Sequence, residues 1–429
     1  MKVKKSGLNY IFFIILALSV YIPFFEVGVR VRVEDIAVLL FLFILPFTIN
    51  EREVSIIFSL VYPLLIFIVM FIPLGVMQSK AHLGEYILPT ELWQYIKRLV
   101  FFSVGFNCFY SLNEKKRTSI SKSMLIIVFG LLIVGLLQVF PNNLGDYLTA
   151  LYPRSDTQFE IAMADVNRRI YGVSGHSISW GGFSGFLLLA GLFLLFTSNV
   201  QLKSYFFIAS LLFILSFLNV FFSGSRAALA AYIISLVVLS FFVLAQNPKW
   251  ILKSGFFSFI LLSIVVFFGT FLFSDQISFI IYRFDVLIEQ SGGQRMEQIN
   301  MAVSLLNEPY DILIGVSNSA QRANGVTHGV EVEPVNLYAN YGVIGVLCIY
   351  GFLALLLTKL YKLTRETKER IVFYLMFSMF TMYSIFSLGY FFFAEIVVGA
   401  YPFLIFGMML GFTKSKKDCL CFSSFRTGY

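Results

Sequence analysis

The sequence predicts an all-α, polytopic integral membrane protein, and three observations predict it. Hydrophobic residues make up 58% of the 429-residue chain and charged residues only 13%, far from the balance of a soluble domain. Apolar runs near the roughly 20 residues that a spanning helix needs recur along the whole length. Lysine, finally, is confined almost entirely to one alternate set of the loops between those runs.

About twelve spans are expected, at 8–25, 36–50, 54–76, 92–112, 123–140, 177–198, 204–222, 227–245, 254–273, 336–358, 371–390 and 395–412. The first follows "MKVKK" directly, lacks a small-residue cleavage site and precedes further spans, so it reads as a retained helix and not a signal peptide. No internal repeat or low-complexity segment divides the chain, and residues 1–429 read as one membrane domain. The net charge of +8 belongs to basic loops beside a lipid bilayer, not to a nucleic-acid partner. Four cysteines, Cys108 and Cys348 in apolar runs and Cys419 and Cys421 in the tail, make no disulfide or metal framework.

Orientation follows from the loops "KVKK", "NEKKR", "QLK", "NPKWILK", "KLYKLTRETKER" and "KSKK", which place both termini in the cytoplasm. Every lysine except Lys80 and Lys97 then falls on the inner side, with Lys97 and Arg98 left unassigned near an outer span end. The outer side instead carries Arg30, Arg32, Arg154, Arg168, Arg169, Arg226, Arg283, Arg295 and Arg322. The orientation rule does not ask for arginine there. Its planar fork binds phosphate bidentately, whereas lysine is a point charge, so the outer face is expected to handle an anion.

Two outer loops are long enough to build a site, at 141–176 and 274–335. In the larger, Ile280, Phe284 and Leu287 share one helical face, and Met296, Ile299, Val303 and Leu306 share another. Both stretches predict amphipathic helices at the interface or over the bundle.

Within this frame "NVFFSGSRAALAAY" (219–232) sets Arg226 at a tight turn between two spans. It reads either as a snorkelling side chain or as an anion ligand. Its place at a helix start, where the dipole disfavours a cation, favours an anion held jointly with free N–H groups. Arg295, in "SGGQRMEQINMAVSLL", also stands near a helix start, and reads as an anion ligand or as an ion pair with Glu289 or Glu297. His328 suits proton transfer near neutral pH, with Glu331 or Glu333 available to orient its ring, or it is a solvated loop histidine. His176 lies where the first outer loop re-enters, beside Arg168, Arg169 and Trp180, where the aromatic reads as a sugar contact or the histidine as a structural cap of the helix start. Arg168, Arg169, His176, Arg283 and Arg322 are expected to line the substrate, and His82 has no assigned role.

No Walker loop, Rossmann glycine fingerprint or histidine–cysteine cluster is present, so no cofactor or metal site is expected. A transporter would show related halves and charged groups through the bilayer centre, where Glu395 is the main buried carboxylate expected.

Several stretches, taken in order, resemble the polysaccharide polymerase and ligase superfamily of bacterial envelopes: O-antigen polymerases (Wzy) and O-antigen ligases (WaaL). "RVEDIAVLLFLF" is similar to that family's Arg-x-x-Asp opening of span two, and "FFSGSRAALAAY" to its small-Gly-Ser-Arg motif. "GGQRMEQINMAVSLLNEPYDILIGVSNS" resembles its Gly-Arg helix and following turn, with Ser317 in place of the second glycine. "THGVEVEPVNLYANYGVIGVL" resembles its His-containing loop, though Gly329 follows His328 where the family often has Asn. The resemblance implies a GT-C-like bundle in the bacterial inner membrane with a periplasmic active site. It implies a metal-independent glycosyltransferase acting on an undecaprenyl-diphosphate-linked oligosaccharide, alongside a flippase and a chain-length regulator of the same pathway. Matched by motif, Arg226 and Arg295 would hold the diphosphate and His328 the acceptor. Polymerase is the first expectation, ligase the second, and a lipid-linked glycan flippase the third.

Overall fold

The computed structural model describes residues 5–246 apart from 24, 27–29, 49–50, 141 and 153–168, together with Ser278 and residues 294–426 apart from 327–329, 392–394 and 396. The expected span at 254–273, the expected helix of Ile280, Phe284 and Leu287, and Arg168, Arg283 and His328 lie outside the described residues.

Helix α1 (Lys5–Ser19) leads through a two-residue antiparallel bridge, β1 (Phe25–Glu26) to β2 (Arg30–Val31), into α2 (Val33–Thr48), α3 (Glu51–Leu83), α4 (Leu92–Ser111) and α5 (Glu114–Leu137). The first long loop holds α6 (Asn143–Leu151) and a single 3-10 turn at Gly172–Ser174, before α7 (Ser177–Thr197), α8 (Leu202–Phe222) and α9 (Arg226–Gln246). The second holds α10 (Gln294–Ser304), α11 (Pro309–Ile314) and α12 (Asn318–Ala323), and α13 (Glu333–Thr367), α14 (Arg370–Ser387) and α15 (Tyr401–Arg426) complete the order.

Among the described residues seven helices, α3, α5, α7, α8, α9, α13 and α14, are long and apolar enough to cross a membrane, so this is a helical membrane protein. Helix α3 runs past the expected end at 76 with Pro63 and Pro73 inside it. Proline is tolerated in such helices because neighbouring groups satisfy the freed backbone carbonyls. Helices α4 and α15 form where spans are expected, but Lys97 and Arg98 in one and Lys414, Lys416 and Lys417 in the other break their apolar runs. The two pack backbone to backbone, with Gly105 against Leu404, Gly407 against Phe102 and Gly411 against Phe106.

Helix α7 is the most enclosed, and its small residues are the reason. A side chain at Gly182 would meet the Phe386 ring of α14, and one at Gly191 would meet Leu212 of α8. Trp180 of α7 is wholly buried and donates from Nε1 to Asn219 Oδ1 at 2.9 Å. It therefore does not face a ligand, contrary to the sugar-contact reading.

The second long loop has a small core of its own, Ala302, Val326, Val330 and Ala339, with Ile299, Leu305, Val332 and Val335 against it. This corrects the expected stripe on α10: Met296 and Val303 are exposed, while Ile299 and Ala302 turn inward. The buried residue there is the small Ala302. The loop is joined to the bundle by two glycines with positive φ, Gly315 (76°) and Gly342 (60°). A side chain on Gly342 would strike the backbone of Leu313 and Ile314, and one on Gly315 that of Asn340 and Tyr341. Val316 N donates to Ala339 O at 2.9 Å across this crossing, and Gly342 kinks α13 there.

Candidate functional site

The turn between α8 and α9 is built by its serines. Ser223 Oγ accepts from Ser225 N, and Ser225 Oγ accepts from Ala228 N, each at 3.3 Å, so Ser225 caps α9 at its third helical N–H. Gly224 takes φ 63° between them, the left-handed region that glycine enters without strain. Arg226 is thereby the first residue of α9, half-buried, beside N–H groups that the helix itself leaves unused.

The end of the first long loop lies along this turn. Ile170 N donates to Phe222 O at 3.2 Å, and Arg169 Nε donates to Ser223 O at 3.0 Å. Gln138, just past the end of α5, holds that stretch of chain in place: its Oε1 accepts from Tyr171 N and Gly172 N at 3.0 and 2.7 Å, and its Nε2 donates to Gly172 O at 3.2 Å. Six residues on, His176 stacks on Tyr390 beyond the end of α14, with ring centres 5.1 Å apart and planes 12° from parallel.

Gly389, next to Tyr390, connects these groups to the second loop. A Cβ there would lie 2.5 Å from Ala227 Cβ and 3.8 Å from Arg295 Nη1. Arg295 of α10 therefore reaches the first turn of α9. Its Nε donates to Glu331 Oε2 at 2.9 Å, and Glu331 N donates to Gln298 Oε1 at 3.3 Å, so a carboxylate orients the guanidinium from one edge.

Of the sequence-predicted residues, Arg169, Arg226, Arg295 and His176 thus meet around one turn, from three separate parts of the chain. Arg295 pairs with Glu331, one of the two residues expected to orient His328, and not with Glu297, while Glu289 lies outside the described residues. Arg322 is exposed on α12 and has Glu91, at the start of α4, within electrostatic reach. Burial raises the Glu91 carboxyl above its usual range, and backbone hydrogen bonds and Arg322 oppose that shift. No contact joins Arg322 to the other arginines among the described residues. Tyr390, Gly389 and Gln138 had no signal of their own in the sequence beyond lying next to span ends.

His82, unassigned in the sequence, bonds through Nε2 to Asp311 Oδ1 at 3.0 Å, and fastens α3 to α11. Among the described residues no three His, Cys, Asp or Glu side chains converge where a metal ion would sit. Guanidiniums gathered near a helix N-terminus are groups that can bind an oxyanion through charge-assisted hydrogen bonds. Compared with known proteins, the sequence matches no protein-family model and no curated protein.

Proposed function

We propose that this protein is a surface-polysaccharide polymerase of the O-antigen type, a membrane glycosyltransferase that joins undecaprenyl-diphosphate-linked repeat units. The observation that carries this reading is the meeting of Arg226, at the N-terminus of α9, with Arg169 and Arg295. In the reaction an acceptor hydroxyl oxygen bonds to C1 of the donor sugar, the C1–O bond to the lipid diphosphate breaks, and the diphosphate leaves with the electron pair. The hydroxyl proton passes to a base, the role assigned here to His328. Charge grows on the diphosphate as the bond breaks, so fixed guanidiniums stabilise the transition state more than the bound donor. Glu331 keeps Arg295 in one orientation, which spares reorganisation at that moment.

In this reading the bundle has about twelve spans in a GT-C-like arrangement, lies in the bacterial inner membrane with both termini cytoplasmic, and works on the periplasmic side beside a flippase and a chain-length regulator. The test is the glycan ladder of a strain lacking the gene, complemented with wild type or Arg226→Ala. A polymerase predicts core bearing a single repeat in the deletion and in Arg226→Ala. Core without any repeat, with lipid-linked polymer accumulating, would make it a ligase instead, and an unchanged ladder would refute both.

A further inference from the structure

Helix α11 carries its polarity inside out. Asp311, its one charged side chain, is wholly buried, while Tyr310, Ile312 and Leu313 are exposed. The Asp311 Oδ1 that meets His82 also accepts from Gln78 Nε2 at 3.4 Å, and its Oδ2 accepts from Glu308 N at 3.3 Å. A helix at a water-facing surface turns the other way, with charge outward and its apolar stripe toward the core. Exposed apolar side chains gathered around a buried carboxylate mark a surface that something apolar covers.

Two membrane-crossing helices fix the height at which α11 lies. In α3, residues 54–79 carry no charge, and the apolar part of that run ends at Met77, which is exposed. The next residue, Gln78, is buried and bonds to Asp311 of α11 and to Gly315 O just beyond it. In α13, residues 343–358 carry no charge, and that run opens at Val343, which is exposed like Leu347 one turn further on. Gly342, directly before it, lies against the backbone of Leu313 and Ile314. Helix α11 therefore rests where one uncharged run ends and the other begins, and runs of about this length cross the hydrocarbon core. Lys80 stands at the same level, with Nζ 4.9 Å from the centre of the exposed Tyr86 ring. Basic and aromatic side chains of this kind are usual beside lipid headgroups.

We propose that α11 is an in-plane membrane anchor: Tyr310, Ile312 and Leu313 enter the leaflet on the side of the two long loops, and phospholipid covers them. The exposed face offers no charge and one hydroxyl, the pattern of a lipid contact. It continues the lipid-facing surface of α3 and α13 past their ends, and it ties the small core of the second loop to the bilayer as well as to the bundle. The anchor follows from placement alone and does not depend on the glycosyl-transfer reading.

The test uses the full-length protein in phosphatidylcholine nanodiscs. Leu313→Trp adds a fluorophore to the three native tryptophans, whose emission is measured in the parent protein and subtracted. Lipids brominated near the top of the acyl chains are expected to lower the added emission about twofold, as for a face about 5–10 Å into the interface. Lipids brominated near the chain ends should lower it less, and aqueous iodide should leave it nearly unchanged. Leu347→Trp, on the spanning part of α13, gives the lipid-facing reference, and Tyr310→Trp serves if Leu313→Trp does not fold. Quenching by iodide without quenching by bromine would put α11 in water and overturn the proposal. Protection from both quenchers would mean that a second copy of the chain covers the face, and would overturn it equally.

Discussion

Two arginine motifs stand at helix starts in this protein, and they end in different surroundings. Around the opening of α2, Arg32 and Lys97 face Glu34 and Asp35, two positive charges against two negative, and Arg32 and Lys97 are each 1% exposed. Arg32 pairs with Glu34, while Asp35 also accepts from Trp93 Nε1 at 2.8 Å and from Arg32 N at 3.1 Å. Around the opening of α9, Arg169 bonds to the serine turn that Arg226 follows, Arg295 pairs with Glu331, and the Arg295 side chain is 28% exposed. A balanced, sealed cluster ties helices together. The arginine-rich one at α9 is where the proposed diphosphate would sit. In that proposal the same residue type at the same kind of position serves structure in one place and ligand binding in the other.

The largest effect that would sharpen this contrast is expected at the sealed cluster. Lys97→Met leaves Asp35 with neutral donors only, and breaking a buried pair costs about 3–5 kcal/mol. Titration with a denaturing detergent should show that loss of stability, while whatever protein remains folded keeps its turnover. A loss of turnover without loss of stability would show that the two clusters are not separate in role. Next comes Arg226→Ala, with a rate loss of about 10²–10³ and unchanged detergent stability, by analogy with removing one oxyanion donor. Arg226→Lys should recover only part of that rate, because a point charge cannot replace the two-pronged contact. Full recovery would mean that the charge alone matters at the turn.

Much of the frame was legible because apolar runs are bounded by turn residues. The expected 177–198 and 204–222 became Ser177–Thr197 and Leu202–Phe222, and the expected 227–245 became Arg226–Gln246. The meeting of Arg169, Arg226 and Arg295 was legible only as a side of the membrane, since Arg295 and its carboxylate are 36 residues apart and reach α9 from another loop. Lys97 resisted reading because a buried charge is explained by its partner, and Asp35 is remote in sequence. On α10 the apolar period was right in kind but wrong in phase. Ala302, which periodicity scores weakly, is the residue that close packing selects.

A smaller effect tests how the site is brought together. Gly389→Ala would set a methyl group 2.5 Å from Ala227 Cβ, so α14 and α9 must part, at a cost of about 1–3 kcal/mol. Arg295 Nη1 borders the same spot, so turnover should fall along with stability. Removing the opposing methyl with Ala227→Gly in the same chain should restore both. Restored stability without restored turnover would mean that Arg295 is placed by Glu331 alone.

The smallest effect separates buttress from ligand contact. Trp180 is wholly buried and holds Asn219, whose Nδ2 in turn donates to Leu132 O at 2.9 Å and to Leu215 O at 2.8 Å. Asn219 O accepts the Ser223 N–H that closes α8, so the chain of bonds ends at the serine turn that presents Arg226. Trp180→Phe removes the indole N–H and leaves one buried amide oxygen short of a donor, which costs about 1–3 kcal/mol. Because the turn keeps its own serine and backbone bonds, the stability loss should exceed any change in turnover, and donor KM should not move. A raised KM with unchanged stability would put Trp180 in contact with the sugar after all, and would move the binding surface from the Tyr390 side of His176 to the α7 side.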